Sequence, residues 1–284
     1  MRILVSVDME GLPDVFYTDA SAGRTDDLYS ESREVMTRLS SALAEGFHSA
    51  GVADIIVEDS HSKMTNLYYR ELPPYVRTIK GGIRPLDMIY GIDDNVDALA
   101  LLGFHSAGGV AHSSFDHTYD GVSFHRISVN GEPASEFYLC ALVAGEHGVP
   151  VILVAGDDKL ENDVKSRTPW AEYVVLKNSA GYWSSSYDSL QVVETRLRDS
   201  AKKSISGLVP GHAAKSMVLK QSGPFEFIFE MKRSVYADVG ELVPGIVRLD
   251  GYSLSYRTKT ATEGFRVMQL LSYASIGTET SISD

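Results

Sequence analysis

Asp8 and Glu10 stand one residue apart after the apolar run Ile3-Leu4-Val5, and Gly11 follows them. If the extended conformation continues, side chains i and i+2 project to the same side, so both carboxylates face one site. Gly11 then lets the backbone turn tightly. Two carboxylates so placed repel each other unless something positive lies between them, and a divalent cation meets that need. The plainer alternative is that one acid caps the following segment while the other is solvated. His61 follows the run Asp54-Ile55-Ile56-Val57-Glu58, and His105 follows Ala98–Gly103. In open α/β sheets ligands collect outside the carboxyl ends of the strands, so these side chains can meet in one crevice although they are far apart in sequence. Carboxylate with imidazole is the donor set of zinc and other first-row divalent ions, whereas calcium and magnesium prefer oxygen alone. A single strand-end histidine is more often a loop or core residue. Two of them beside a spaced acid pair favour a metal.

Glu136 opens a segment near the same end of the sheet, where a glutamate is also favoured simply by the helix dipole. His112 and His117 lie on a Gly- and Ser-rich loop, a position suited to a general acid or base because imidazole titrates near neutral pH. Asp157 and Asp158 also follow an apolar run. They serve equally well as caps or substrate contacts and stay outside the proposed ligand set. His48 and His147 read as surface residues, and His125 and His212 are undecided.

The elements that must position these groups are legible in outline. Val35, Leu39, Leu43 and Phe47 recur near helical spacing, predicting an amphipathic helix of roughly five turns, capped by Asp26 or Asp27 and ended by Gly51. Strand, helix and strand over residues 3–58 make a right-handed βαβ unit. Residues 67–97 read as a connection with a short helix at Arg84–Tyr90. Residues 98–103 and 149–155 are further buried strands, and 124–130 alternate as a strand. Ser135 caps a helix from Glu136 to about His147. Beyond a mixed polar and aromatic stretch at 160–190, helices are expected at 190–206, 235–242 and 262–273, and strands at 225–230 and 247–256, with the last seven residues frayed. The expected fold is α/β and three-layered, with a mostly parallel central sheet and a smaller C-terminal α/β subdomain. Residues 1–190 would form the metal-binding catalytic domain, and residues 191–284 the part serving assembly and the pocket wall.

Composition excludes several classes. The 284 residues carry a net charge of -12 and a pI near 5.1. Nucleic acid and anionic membrane are therefore excluded as main partners, since counterion release needs basic patches. The single cysteine, Cys140, sits in an apolar run and rules out disulfides within the chain and Cys-rich zinc sites. Neither a secretory signal nor an apolar run of ~20 residues is present, so the expectation is a soluble cytoplasmic protein.

Six segments stand in a fixed order. They are Ser-Val-Asp-Met-Glu-Gly at 6–11, Asp-Ser-His-Ser-Lys-Met-x-Asn-Leu at 59–67, Gly-Phe-His at 103–105, Asp-His-Thr at 116–118, Asn-Gly-x-Pro-x-x-Glu at 130–136 and Val-Ala-Gly-Asp-Asp at 154–158. Together they resemble the M55 peptidase family, the DppA-type D-aminopeptidases, over about residues 1–160. The resemblance implies a two-zinc site that releases N-terminal residues, often D-amino acids, from short peptides. Its ligands would be Asp8, Glu10, His61, His105 and Glu136, with Asp8 bridging the two ions. The catalytic histidine would be His117, whose spacing to His105 and Glu136 fits the family better than that of His112. The resemblance also implies a homo-oligomer, a ring-shaped decamer being one form, with active sites facing an inner chamber. Competing readings are a dinuclear hydrolase of another amide or a phosphoester, and a non-catalytic peptide-binding accessory protein. Only Lys63 and Arg126 supply positive charge near the candidate ligands, which disfavours a phosphoester.

Overall fold

A computed structural model describes residues 1–16, 26–93, 95–206, 208 and 216–282. Strands β1 (Arg2–Val7), β2 (Asp54–Asp59), β3 (Val76–Ile79), β4 (Ala98–Phe104), β7 (Val151–Asp157), β8 (Glu172–Gly181) and β9 (Ser184–Ser186) form one sheet in the order β3-β2-β1-β4-β7-β8-β9. All neighbours pair in parallel except β9, which runs antiparallel to β8. A central parallel strand is covered on both faces, so β1, β4 and β7 are almost wholly apolar. Ile3, Val5 and Val7 of β1 pack against helices α1 (Asp26–Ser49) and α4 (Leu190–Ser204) through Met36, Leu39, Leu43, Phe47, Val193 and Leu197. Leu4 faces the opposite side, toward helix α2 (Glu136–Glu146). The fold is thus α/β with a mostly parallel central sheet between layers.

A second, antiparallel sheet lies beyond α2. Its order is β11 (Ile246–Arg248), β12 (Ser253–Thr258), β10 (Phe225–Met231), β5 (Phe124–Val129) and β6 (Glu132–Pro133). Phe225, Phe227, Phe229 and Met231 alternate inward from β10 and join the core shared with α2 and helix α6 (Ala261–Ile282). This sheet draws its strands from both sides of residue 190. Helices α3 (Glu161–Arg167) and α5 (Ser234–Gly240) complete the chain.

Several expectations change. Helix α1 has 24 residues, close to seven turns rather than five, and the side chains of Asp26 and Asp27 lie outside the described residues, as does His212. The segment 67–97 holds strand β3, and only a single 3-10 turn, Asp87–Ile89, where a helix was expected. Residues 160–190 hold α3, β8 and β9. The expected strand 247–256 is a hairpin, because the Asp250 carboxylate accepts the backbone N–H of Tyr252 and Ser253, each at 2.7 Å, and turns the chain. Helix α6 runs on to Ile282 where fraying was expected.

Candidate metal centre

Strand β1 ends at Val7, so Asp8 and Glu10 are not brought together by continued pleating. The Asp8 N–H bonds to Leu102 O at 2.8 Å and the Gly11 N–H to Gly103 O at 2.7 Å, which presses the Asp8–Leu12 turn onto the end of β4. Gly103 permits this approach: its φ is +79°, and a Cβ there would lie 2.1 Å from the Asp8 carbonyl oxygen. The same turn delivers both carboxylates to His61, whose Nδ1–H donates to Glu10 Oε2 at 3.0 Å and to Asp8 Oδ1 at 3.3 Å.

His61 is fixed by its own motif. The Asp59 carboxylate accepts the backbone N–H groups of Asn66 and Leu67 at 2.5 and 2.8 Å, and the Asn66 amide donates to His61 O at 2.7 Å. Buried Asp59 therefore closes the loop that presents the imidazole. His105 leaves the end of β4 and donates its Nδ1–H to Ser106 O at 2.9 Å, which turns Nε2 toward the acids. That nitrogen is 3.5 Å from Glu136 Oε1 and 3.8 Å from Asp8 Oδ2. Glu136 is the first residue of α2. Ser135 caps the helix by accepting the Tyr138 N–H at 3.2 Å, and Glu136 Oε1 accepts the Tyr119 N–H at 2.6 Å. The Tyr119 hydroxyl is held in turn by Asp87, which also accepts from Tyr273 of α6 at 3.0 Å. The C-terminal helix thus reaches the site through Asp87 and Tyr119.

His117 joins the cluster. Its ring stacks on that of His105 at 4.5 Å, and Nε2 lies 3.5 Å from Glu136 Oε1 and 4.0 Å from Glu10 Oε1. The Nδ1–H donates to Phe115 O at 2.7 Å, which turns Nε2 toward the carboxylates. His112 is exposed, as are Lys63 and Arg126. Asp157 is buried but occupied elsewhere, accepting Leu160 N–H at 2.9 Å and Ser113 Oγ–H at 3.0 Å. Asp158 accepts the Ser179 N–H and pairs with Lys159, both at 2.7 Å. The structure therefore gathers Asp8, Glu10, His61, His105, Glu136 and His117 and leaves His112, Asp157 and Asp158 outside.

The electrostatics of the cluster are set by burial and by the charges facing one another. Burial raises the Asp8 carboxyl well above its usual range, and the charges of Glu10 and Glu136 add to this. Burial acts to raise Glu10 too, but His61, with His117 and His105, outweighs it and holds that carboxyl well below the usual range. Burial disfavours the charged form of His105, yet Glu136, Glu10 and Asp8 prevail and push it up to about 10; Glu10 and Asp8 likewise hold His61 high. Asp8 Oδ2 and His105 Nε2 are buried and have no hydrogen-bond partner among the described residues. Such orphans are costly unless a ligand meets them. Donor atoms on one tetrahedral zinc lie roughly 3.3 Å apart, and the spacings here, from 3.0 to 4.0 Å, bracket that value. The groups Asp8, Glu10, His105 and His105, His117, Glu136 each bring their donor atoms within 4.8 Å of one another. The residues fit a zinc centre.

In zinc-free protein, His105 contributes stability that is complete below its ordinary 6.5 and is lost as pH rises through about 10; His61 acts in the same direction. Zinc bound by these imidazoles would replace those protons. The melting temperature of chelated protein should therefore fall from pH 6.5 toward 10, and the upward shift on adding zinc should grow over that window. A zinc shift independent of pH would show that no imidazole proton is displaced.

Sequence reasoning missed Lys177. Its buried ammonium donates to the main-chain oxygen of Glu10, bracing the acidic turn from β8, and burial lowers it to about 8 although Asp157 and Glu10 favour its charge. No local signal marks a lysine 167 positions away from its partner. Asp59 and Asn66 were within the quoted motif, and their spacing about His61 was the signal.

A mostly parallel α/β sheet whose strand ends gather imidazoles and carboxylates around unpartnered donors defines a metal-binding α/β protein. The comparisons place it further. The family model for M55 peptidases, D-aminopeptidase, matches residues 1–270, and the chain belongs to that family. A D-aminopeptidase of Bacillus subtilis (strain 168) is 35% identical over 183 residues, 63% of this chain and 64% of that protein. The chain thus aligns with somewhat under two thirds of that relative's length. The solved structure of the zinc-dependent D-aminopeptidase DppA from Bacillus subtilis, a self-compartmentalizing protease, superimposes with a TM-score of 0.87 at 25% identity, covering 97% of this chain and 98% of that one.

Proposed function

We propose that this protein is a zinc-dependent aminopeptidase that hydrolyses the N-terminal peptide bond of short peptides, with D-residues at the N-terminus as the preferred class. The observation that carries the reading is Asp8, whose two carboxylate oxygens face different imidazoles, Oδ1 toward His61 and Oδ2 toward His105. Asp8, Glu10 and His61 would hold one zinc, and Asp8, His105 and Glu136 a second. Bound there, zinc supplies Lewis acidity to the scissile carbonyl and to the attacking water. His117, with its tautomer set by Phe115 O, takes a proton at Nε2 during attack and returns it to the leaving amine. Family membership and the likeness to a zinc-dependent D-aminopeptidase support this reading. We also propose a homo-oligomer, supported by the likeness to a self-compartmentalizing protease. No helix among the described residues is long and apolar enough to cross a membrane.

The test is a panel of short peptides with matched L and D N-terminal residues, run with zinc-loaded protein with and without chelator. Chelator-sensitive release of D-residues is expected. Release of L-residues alone would keep the metallopeptidase and discard the D-preference. No turnover of either, with zinc bound, would shift the site to another amide or to a binding role.

A further inference from the structure

The loop that carries His117 is joined to an aromatic tip. The Phe115 N–H donates to Tyr182 O at 3.2 Å, while Phe115 O accepts the Nδ1–H of His117. Tyr182 and Trp183 form the turn between β8 and β9 and are 51% and 71% exposed. Phe115, Tyr182 and Trp183 meet edge to face in sequence, with ring centroids 5.5 Å apart at each step. The ladder is anchored from behind, because the Lys177 ammonium lies 5.5 Å from the centre of the Phe115 ring and also holds the Glu10 main chain. Phe115 has a φ of +51°, a costly value for an aromatic residue that persists only where the surroundings impose it. The Tyr182 phenol also senses the charge of Glu10, although burial and Asp116 are larger influences.

An apolar shelf thus starts at the loop of His117 and runs outward beside the acidic cluster. A free peptide N-terminus presents matching chemistry, an amine beside a side chain. We propose that Phe115, Tyr182 and Trp183 form the subsite for the side chain flanking the scissile bond, so that the enzyme selects short peptides with large apolar or aromatic residues there. The proposal rests on the aminopeptidase reading. Large exposed aromatics do not by themselves mark a site. Here they continue the contacts of the candidate centre and supply rigid apolar area at low entropic cost.

Tryptophan emission provides a readout apart from turnover. The chain has two tryptophans, and Trp170 is tied by its Nε1–H to Val151 O at 3.0 Å, at the start of β7 and away from the strand ends that carry the site. Zinc-loaded full-length protein is titrated with phenylalaninol and alaninol of both chiralities, which carry the amine and side chain but no scissile bond. Saturable emission change with tighter binding of phenylalaninol, by about tenfold, is expected, as partial burial of one aromatic ring gives. Trp183→Ala should abolish the signal, and Tyr182→Ala should reduce the phenylalaninol preference. In parallel, with D and with L N-terminal residues, the ratio of kcat/KM for Phe-Ala and Ala-Phe against Ala-Ala should fall in Trp183→Ala, chiefly through KM, with zinc content unchanged. Aromatic preference in binding without any hydrolysis by the wild type would sink the aminopeptidase reading and leave the subsite standing. Hydrolysis with unchanged ratios in both variants and no aromatic preference in binding would overturn the subsite. A changed particle size in Trp183→Ala with all peptides affected alike would also overturn it, and would assign the tip to contact between copies.

Discussion

Asp8→Asn is expected to lose zinc and to lower turnover by roughly a thousandfold or more, the scale of the several kcal/mol that a catalytic metal supplies. The substitution keeps the size and the hydrogen-bond acceptor that His61 meets at 3.3 Å. What it removes is the anionic oxygen on the His105 side, the one with no partner among the described residues. The same change should stabilise the chelated protein. Burial, Glu10 and Glu136 all resist ionisation of Asp8, so its charge opposes folding as pH rises above its usual carboxylate range. The neutral amide escapes that cost. The signature is thus a pair of opposite signs: zinc per chain and hydrolysis fall, while the melting temperature in chelator rises, increasingly so at higher pH. A destabilised fold would lower all three. A variant that keeps both its zinc and its activity would falsify the role given to Asp8.

The parts of the molecule that could be read from the chain are those where one residue type answers one local demand. β1, β4 and β7 are apolar because both faces are covered, and the residues after β1 and β4 are chemical because the sheet ends there. The partners that hold those residues were hidden for physical reasons. Glu136 is oriented by the Tyr119 main-chain N–H, a group every residue but proline possesses. Tyr119 in turn depends on Asp87 and Tyr273, which are brought together only by the packing of α6. β8 was invisible because the polar side chains of Lys177 and Ser179 serve neighbours, Glu10 and Asp157, rather than solvent. β3 was missed for the opposite reason, as a four-residue edge strand without a fully buried face. The pairing of Asp8 with Glu10 was expected from strand pleating, yet it is produced by a turn that only the contact with Gly103 explains.

That contact sets up the second large effect. Gly11→Ala is expected to cost at least about 4 kcal/mol, a large share of the 5–15 kcal/mol that holds a domain folded. A Cβ at this position would lie 1.9 Å from Phe104 O and 2.6 Å from Gly103 O, atoms of the β4 backbone that cannot move aside without breaking the sheet. Its own N–H is bonded to Gly103 O at 2.7 Å, so the turn cannot retreat without losing that bond. Relief on either side also displaces a proposed ligand, Glu10 on the turn or His105 at the strand end. Stability and zinc binding should therefore fail together, and added zinc should recover little of the lost melting temperature. Gly277→Ala is the matched control. It lies in α6 with open space where the Cβ would stand, and replacing a helical glycine by alanine should stabilise by about 0.5–1 kcal/mol. Soluble yield, thermal melting with and without zinc, and zinc per chain measured on both variants settle the point. If Gly11→Ala melted within a degree or two of the wild type and still bound zinc, the turn would have room that the observed backbone contact denies, and the fold would not be what sets the distance between Glu10 and His105.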